Sequence, residues 1–348
     1  IVDTTFADVP VRLYIPEKRS SSGAVMYFHG GGFVIMDVGR FFLCRYFYFV
    51  TLNDSFDPVT RYLAANTGTV VISVEYRLAP EHVFPAAVED CESATVHVLS
   101  GAAAQWNIDP ALVTVMGDSA GGNLATVVAQ RLRKRKDLPK LRAEVLIYPT
   151  VQLHDFLLPS FRQELSLVRT MMIKPDRLAI WLLMYAGLHS KHYPLLLANR
   201  HISDSVQPLI SRYLNHSLLP ADYLECIRGD GHPLARGAPT AGPEVDRVRQ
   251  HLAPLLANPD FVPLVQPDLR GMPDTLVISA GFDILRDENY LYAERLRQAG
   301  VPTRLQHYPN GFHAMINLYS EFAVGRQCLD DIAQYVMDRL KTSSGEKI

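Results

Sequence analysis

Short runs of β-branched and apolar residues recur along the chain, and each is followed by a longer stretch in which apolar positions return at helical spacing. The runs Val11–Ile15, Ala24–Phe28, Thr69–Val74, Val113–Met116, Ala143–Tyr148, Thr275–Ser279 and Thr303–His307 read as strands. Between them, Pro85–Leu99 opens with proline at a helix start, and Leu124–Leu132 is helix-like. Glu288–Gln298 sets Leu291, Ala293 and Leu296 among charges, as an amphipathic surface helix does, and a last helix is predicted over about Gln327–Leu340. This alternation predicts an α/β protein with a mostly parallel central sheet flanked by helices.

The rhythm breaks between about residues 154 and 266. That region is rich in Leu, Pro, His and Tyr, holds one helix near Asp176–Ala186, and contains a Gly/Pro-rich stretch, Gly229–Gly242, that reads as loop. Within an α/β sheet such an insertion predicts a helical lid over the carboxyl edge of the strands, where ligands bind. Residues 1–348 are then a single domain carrying a lid insertion.

Composition changes this picture little. An apolar fraction of 48 % with 20 % charged residues describes a globular protein with ample core material. The net charge of −2 supplies no electrostatic reason for nucleic acid as a partner. The basic run Arg131–Lys136 ends a predicted helix, where cations meet the negative end of the dipole, and reads as a solvated helix end. Cysteines at 44, 91, 226 and 328 form no C-x-x-C pair and no disulfide scaffold, and do not set the redox compartment. The longest apolar stretch, Phe41–Leu52, is too short to span a bilayer and carries Arg45. The first residue is Ile1 rather than Met, which raises the expectation that a natural N-terminus, with any signal or membrane anchor, lies upstream.

Three elements carry chemistry. Gly117-Asp118-Ser119-Ala120-Gly121-Gly122-Asn123 follows a strand and leads into a helix, so the small residues around the serine permit a sharp turn that projects its hydroxyl. His29-Gly30-Gly31-Gly32-Phe33 directly follows another strand. Acyl transfer builds negative charge on a carbonyl oxygen, and the Gly30–Gly32 run can converge backbone N–H groups on it; Gly31 and Gly32, with Ala120 beside the serine, are the expected donors. The third element is the order serine, acid, histidine: Asp283 sits just past one strand and His313 just past the next, on the same edge as Ser119. Asp287 is the rival acid, one helical turn later, and is expected to cap or support the loop instead. The remaining histidines, among them His154, His201, His216 and His307, show no H-x-x-x-H or H-E-x-x-H spacing, so no metal site is predicted and they read as structural or surface residues.

With these residues assembled, the chain resembles the hormone-sensitive-lipase-like branch of the α/β-hydrolases, and within it the arylacetamide deacetylase group, from about Val11 to the C-terminus. The marks are His29–Phe33, Tyr76-Arg77-Leu78-Ala79-Pro80-Glu81-His82 leading to Phe84-Pro85, Gly117–Asn123, the stretch Asp283–Asp287, and Gly311-Phe312-His313. The resemblance implies hydrolysis of neutral acyl esters or aryl amides through an acyl-enzyme, without a cofactor; a lipid or sterol-ester hydrolase is the alternative, since lid shape sets acyl length. In that scheme Ser119 attacks, His313 takes and returns its proton, and Asp283 orients the imidazole. A receptor-type binding protein on the same fold would have a triad member replaced, whereas here all three are in place.

The resemblance also implies a membrane protein of the endoplasmic reticulum with its catalytic domain in the lumen, and so glycosylation of the sequon Asn215-His216-Ser217; Asn53-Asp54-Ser55 is a second sequon. The sequence departs from the family where relatives pair two cysteines, since Val34 and Ala280 occupy those places. The aromatic segment Arg40–Asp57 is longer than its counterpart, and the family's N-terminal lid helices have no match in this chain.

Overall fold

The computed structural model describes residues 1–35, 56–162, 172–224 and 238–341. Eight strands form one sheet: β1 (Val2–Phe6), β2 (Val9–Tyr14), β3 (Ala24–Phe28), β4 (Val70–Val74), β5 (Val113–Asp118), β6 (Ala143–Ile147), β7 (Asp274–Phe282) and β8 (Thr303–Phe312). Their spatial order is β1-β2-β4-β3-β5-β6-β7-β8. The β1–β2 and β2–β4 pairs are antiparallel and every later pair is parallel.

Every residue of β3, β4, β5 and β6 is buried, which is why those strands show as unbroken apolar runs. β1 escapes that signature because it is an edge strand that alternates half-buried and exposed positions through Asp3, Thr4 and Thr5. Its Phe6 is nevertheless buried, stacked on His97 at 4.6 Å between ring centres.

The longer helices are α1 (Asp57–Thr67), α2 (Ala86–Leu99), α3 (Ala120–Leu132), α4 (Pro175–Tyr185), α5 (Pro243–Leu256), α6 (Arg286–Gln298) and α7 (Ala323–Leu340). One face of the sheet packs on α2, α3, α6 and the segment between β6 and β7. The other packs on α1 and α7 through Val59, Leu63, Leu329, Ile332 and Val336. α1 and α5 have no counterpart in the sequence reading, although each carries proline in its first turn. α1 ends at Gly68, whose left-handed backbone lets its N–H reach the Ala64 carbonyl.

The Gly229–Gly242 stretch read as loop falls partly outside the described residues. Its described end, 238–242, is irregular chain leading into α5. The segment Arg40–Asp57 lies almost wholly outside them, as do Asn53, Cys44 and Cys226. Cys91 and Cys328 are buried free thiols.

Two sequence expectations change in ways that matter for the site. β7 and β8 run past Ser279 and His307, and their pairing continues through an irregularity at Ala280/Phe282 to place Phe282 opposite Phe312. The next residue on each strand is Asp283 or His313. The basic run is also not simply solvated: Arg131 at the end of α3 pairs with both Glu92 of α2 (2.5 Å) and Asp260 (2.8 Å), while Arg133 donates to the Arg270 and Asp268 carbonyls. These half-buried side chains cross-link elements that are distant in sequence.

Candidate active site

The serine turn forms where β5 stops and α3 starts. Ser119 sits at φ 54° and ψ −118°, a backbone state that costs a non-glycine residue about 1–3 kcal/mol and persists only where its surroundings over-determine it. Three constraints do so here. The Ser119 N–H donates to the Ile147 carbonyl at 2.9 Å, and its own carbonyl accepts from Thr150 N–H at 3.1 Å and Asn123 N–H at 3.2 Å. Gly121 is required because a Cβ there would collide with the Phe28 carbonyl of the neighbouring strand. The hydroxyl stands over the N-terminus of α3, the positive end of its dipole.

His313 and Asp283 close on this hydroxyl. His313 Nε2 lies 3.0 Å from Ser119 Oγ, and His313 Nδ1 lies 2.9 Å from Asp283 Oδ2. Because a carboxylate can only accept, Nδ1 carries the proton and Nε2 presents its lone pair to the serine hydroxyl. Asp283 is 0 % exposed and its other oxygen accepts from Leu285 N–H at 3.0 Å, so its direction is fixed on both sides. The Tyr148 ring lies 4.8 Å from the imidazole, centre to centre. The rival, Asp287, is equally buried but points elsewhere: it accepts from Ser160 N–H at 2.6 Å and from Arg286 Nε at 2.8 Å. Arg286 in turn lies over the Tyr223 ring at 3.6 Å.

The glycine loop is braced from three sides. The Gly30 N–H donates to Asp118 Oδ1 at 2.9 Å, the same oxygen that accepts from Tyr27 at 2.8 Å. Gly30, read as part of the oxyanion loop, therefore does not turn its amide towards an oxyanion: it ties the loop to the serine turn. Burial pushes the Asp118 carboxyl up to about 6 against the pull of these donors and of nearby His313. Gly31 and Gly32 have φ of 113° and 62°, and a Cβ on Gly32 would strike the Trp181 indole of α4. The Tyr76 hydroxyl donates to the His29 carbonyl at 2.6 Å with the two rings stacked at 4.3 Å, and Ala79 N–H donates to the Phe33 carbonyl at 2.9 Å. The segment Tyr76–His82, visible in the sequence as a family mark, thus acts physically as a brace. Nothing in its residue types alone announces the contact, because Tyr76 and His29 are 47 positions apart.

A second polar group joins α6 to the chain leaving β6. Glu288 accepts from Val151 N–H at 2.6 Å, from Gln152 N–H at 3.4 Å and from Gln152 Nε2 at 3.1 Å; Asn289 Nδ2 donates to the Pro149 carbonyl at 2.7 Å. Burial pushes the Glu288 carboxyl up to about 8 even though these donors favour its charged form. Further out, Asp155 holds Asn199 (2.7 Å) and His216 (2.9 Å). His154 and His201 are buried against the Leu256 and Leu153 carbonyls. Asn215 is exposed, its Oδ1 accepting from Ser217 N–H at 3.0 Å. Among the described residues no group of three His, Cys, Asp or Glu side chains is placed to hold a metal ion, and no helix is long and apolar enough to cross a membrane.

An eight-stranded, mostly parallel sheet with a serine, a histidine and an acid meeting at its carboxyl edge defines the α/β-hydrolase class. The family described as alpha/beta hydrolase fold matches residues 25–246 and 244–317. Arylacetamide deacetylase of Oryctolagus cuniculus is 35% identical over 331 residues, 93% of this chain and 76% of that protein. Arylacetamide deacetylase-like 2 of Homo sapiens is 33% identical, over 91% and 74%. A solved esterase of Pyrobaculum calidifontis superposes with a TM-score of 0.62 at 29% identity, covering 97% of this chain and 85% of its own. The chain belongs to the arylacetamide deacetylase-like α/β-hydrolases, and it is a serine ester hydrolase.

Proposed function

We propose that the chain cleaves small neutral acyl esters or aryl amides through an acyl-enzyme, with Ser119 as nucleophile, His313 as general base and then acid, and Asp283 holding the imidazole. The observation that carries this reading is the chain of contacts from Ser119 Oγ to His313 Nε2 (3.0 Å) and from Nδ1 to Asp283 (2.9 Å) at a strained strand-to-helix turn. His313 draws the hydroxyl proton as Ser119 attacks, and the same nitrogen later delivers it to the leaving alcohol or amine. Water repeats the sequence on the acyl-enzyme. The oxyanion of each tetrahedral intermediate is met by the Gly31, Gly32 and Ala120 amides beside the N-terminus of α3. The insertion between β6 and β7 acts as the lid, with Trp181 seated on the glycine loop.

By analogy with the deacetylases it resembles, we place the catalytic domain in the lumen of the endoplasmic reticulum, with Asn215 glycosylated. Its exposure makes it accessible to the transferase. Expression in animal cells should then give a glycosidase-sensitive mass shift that Asn215→Gln abolishes; a protein indifferent to the glycosidase overturns this placement. A panel of p-nitrophenyl esters from acetate to palmitate, with an aryl acetamide beside it, tests the chemistry. Turnover should favour short acyl chains and vanish in Ser119→Ala. Turnover that survives Ser119→Ala rejects the assignment, and a preference for palmitate rejects the substrate class.

A further inference from the structure

Resting on Ser119 as nucleophile, we propose that Glu288 is a positioning residue that sets the serine turn relative to the helix that follows the catalytic acid. Glu288 is wholly buried, and N–H donors from Val151 and Gln152 reach both of its oxygens. With Asn289 on the Pro149 carbonyl, the first turns of α6 grip residues 149–152 at consecutive positions. That same segment holds the nucleophile. Thr150 N–H donates to the Ser119 carbonyl, and the Thr150 carbonyl accepts from Asn123 Nδ2 at 2.9 Å. It leaves β6 through Tyr148, whose φ of 35° is, like that of Ser119, left-handed without being glycine.

Two strained residues therefore hang on one short segment, and Glu288 holds that segment from the opposite side. Asp283 lies five positions before Glu288, between the end of β7 and the start of the same helix. The contact thus fixes the spacing between the acid and the nucleophile. A well-packed apolar residue would serve stability as well or better than a buried carboxyl, so the cost of this one is explained by geometry.

Glu288→Gln tests this. Whether or not a proton sits on Glu288, the new amide nitrogen faces the Gln152 Nε2 donor, and Gln152 cannot turn because its Oε1 already accepts from His154 N–H (2.9 Å) and Asp155 N–H (2.8 Å). The exchange Glu288→Gln with Gln152→Glu restores a donor facing an acceptor there, and in return sets a carboxylate oxygen against the Asp155 carbonyl that Gln152 now donates to. Competent sites are counted with a fluorophosphonate, and the labelled residue is mapped.

Glu288→Gln should lower kcat per labelled site by about tenfold to a hundredfold, as a sub-ångström displacement of the nucleophile does. KM should stay within about twofold, because substrate binding is untouched. The double exchange should recover most of the lost kcat. Labelling of a residue other than Ser119 in the wild type overturns the site assignment and this proposal with it. Labelling of Ser119 with an unchanged kcat in Glu288→Gln overturns the positioning role alone. So does an exchange variant that regains thermal stability but not kcat.

Discussion

At the scale of single residues, two carboxylates four positions apart do different work, and the difference is one of direction. Asp283 faces the imidazole and Asp287 faces the Ser160 amide. Asp283→Asn should leave the fold intact and reduce kcat by roughly 10⁴-fold, because the imidazole is then held in the wrong tautomer. Asp287→Asn should instead destabilise the protein by about 1–3 kcal/mol, by leaving a buried donor without its acceptor, and change kcat far less. Steady-state kinetics beside urea titrations separate the two; a kcat loss larger in Asp287→Asn than in Asp283→Asn reverses the acid assignment. Gly31→Val places a side chain at a φ of 113° beside the oxyanion. It should raise the barrier by roughly 3 kcal/mol through kcat, and an effect confined to KM rejects the donor role.

At the scale of elements, the insertion is held together by charges as well as by packing. Asp155 holds His216 above its ordinary value of 6.5, mainly through their hydrogen bond, and is itself held below 3.8 despite burial. A histidine with a raised folded pKa stabilises fully below 6.5 and loses that contribution as pH rises through the folded value. The depressed Asp155 contributes above 3.8 and loses its share as pH falls through its folded value. The contact is therefore complete between those limits and weakens as pH rises through the folded value of His216. Amide exchange in residues 207–224, corrected for intrinsic rates, should be faster at pH 8 than at pH 6, and His216→Ala should erase that difference. An identical pH response in the variant means the pair does not hold the insertion.

At the scale of the whole molecule, buried titratable groups shape stability against pH. Glu144, the second residue of β6, with Thr275 donating to it at 3.1 Å, is pushed up by burial to about 7, and Glu288 to about 8. Each binds its proton more tightly when folded, so stability falls as pH rises from 4.5 to those values. The slope is about 1.4 kcal/mol per pH unit for each group. His154 and His201 are pushed down by burial to about 4, so they subtract stability as pH falls from 6.5 towards that value. Between 4.5 and 6.5 the two pairs offset one another, but Asp118, pushed up to about 6, makes stability fall as pH rises to that value, so the maximum should lie near the acid end of this range. Urea midpoints should decline from pH 5 through pH 6 to pH 8. Glu144→Gln should flatten part of that decline; a variant as steep as wild type means that Glu144 is charged in the folded state.

The sequence by itself determined the class of fold and the three residues that meet, because both are written in local patterns. Buried parallel strands show as apolar runs, and the serine turn needs small residues at fixed offsets. Asp283 and His313 were legible from their place just beyond predicted strands. What only the tertiary structure decided is which groups of similar chemistry face which. The Gly30 amide goes to Asp118 rather than into the donor set, and Arg131 bridges Glu92 and Asp260 rather than ending a helix in water. Tyr76 braces His29, and Glu288 grips the segment that holds Ser119. Each of these depends on contacts between residues far apart in the chain, and on directions set by packing, neither of which a local pattern of residue types encodes. β1 is hard to read because an edge strand alternates polar positions with few apolar ones, whereas α5 is written in the sequence, since its buried Val245, Val248, Leu252 and Leu256 recur at helical spacing.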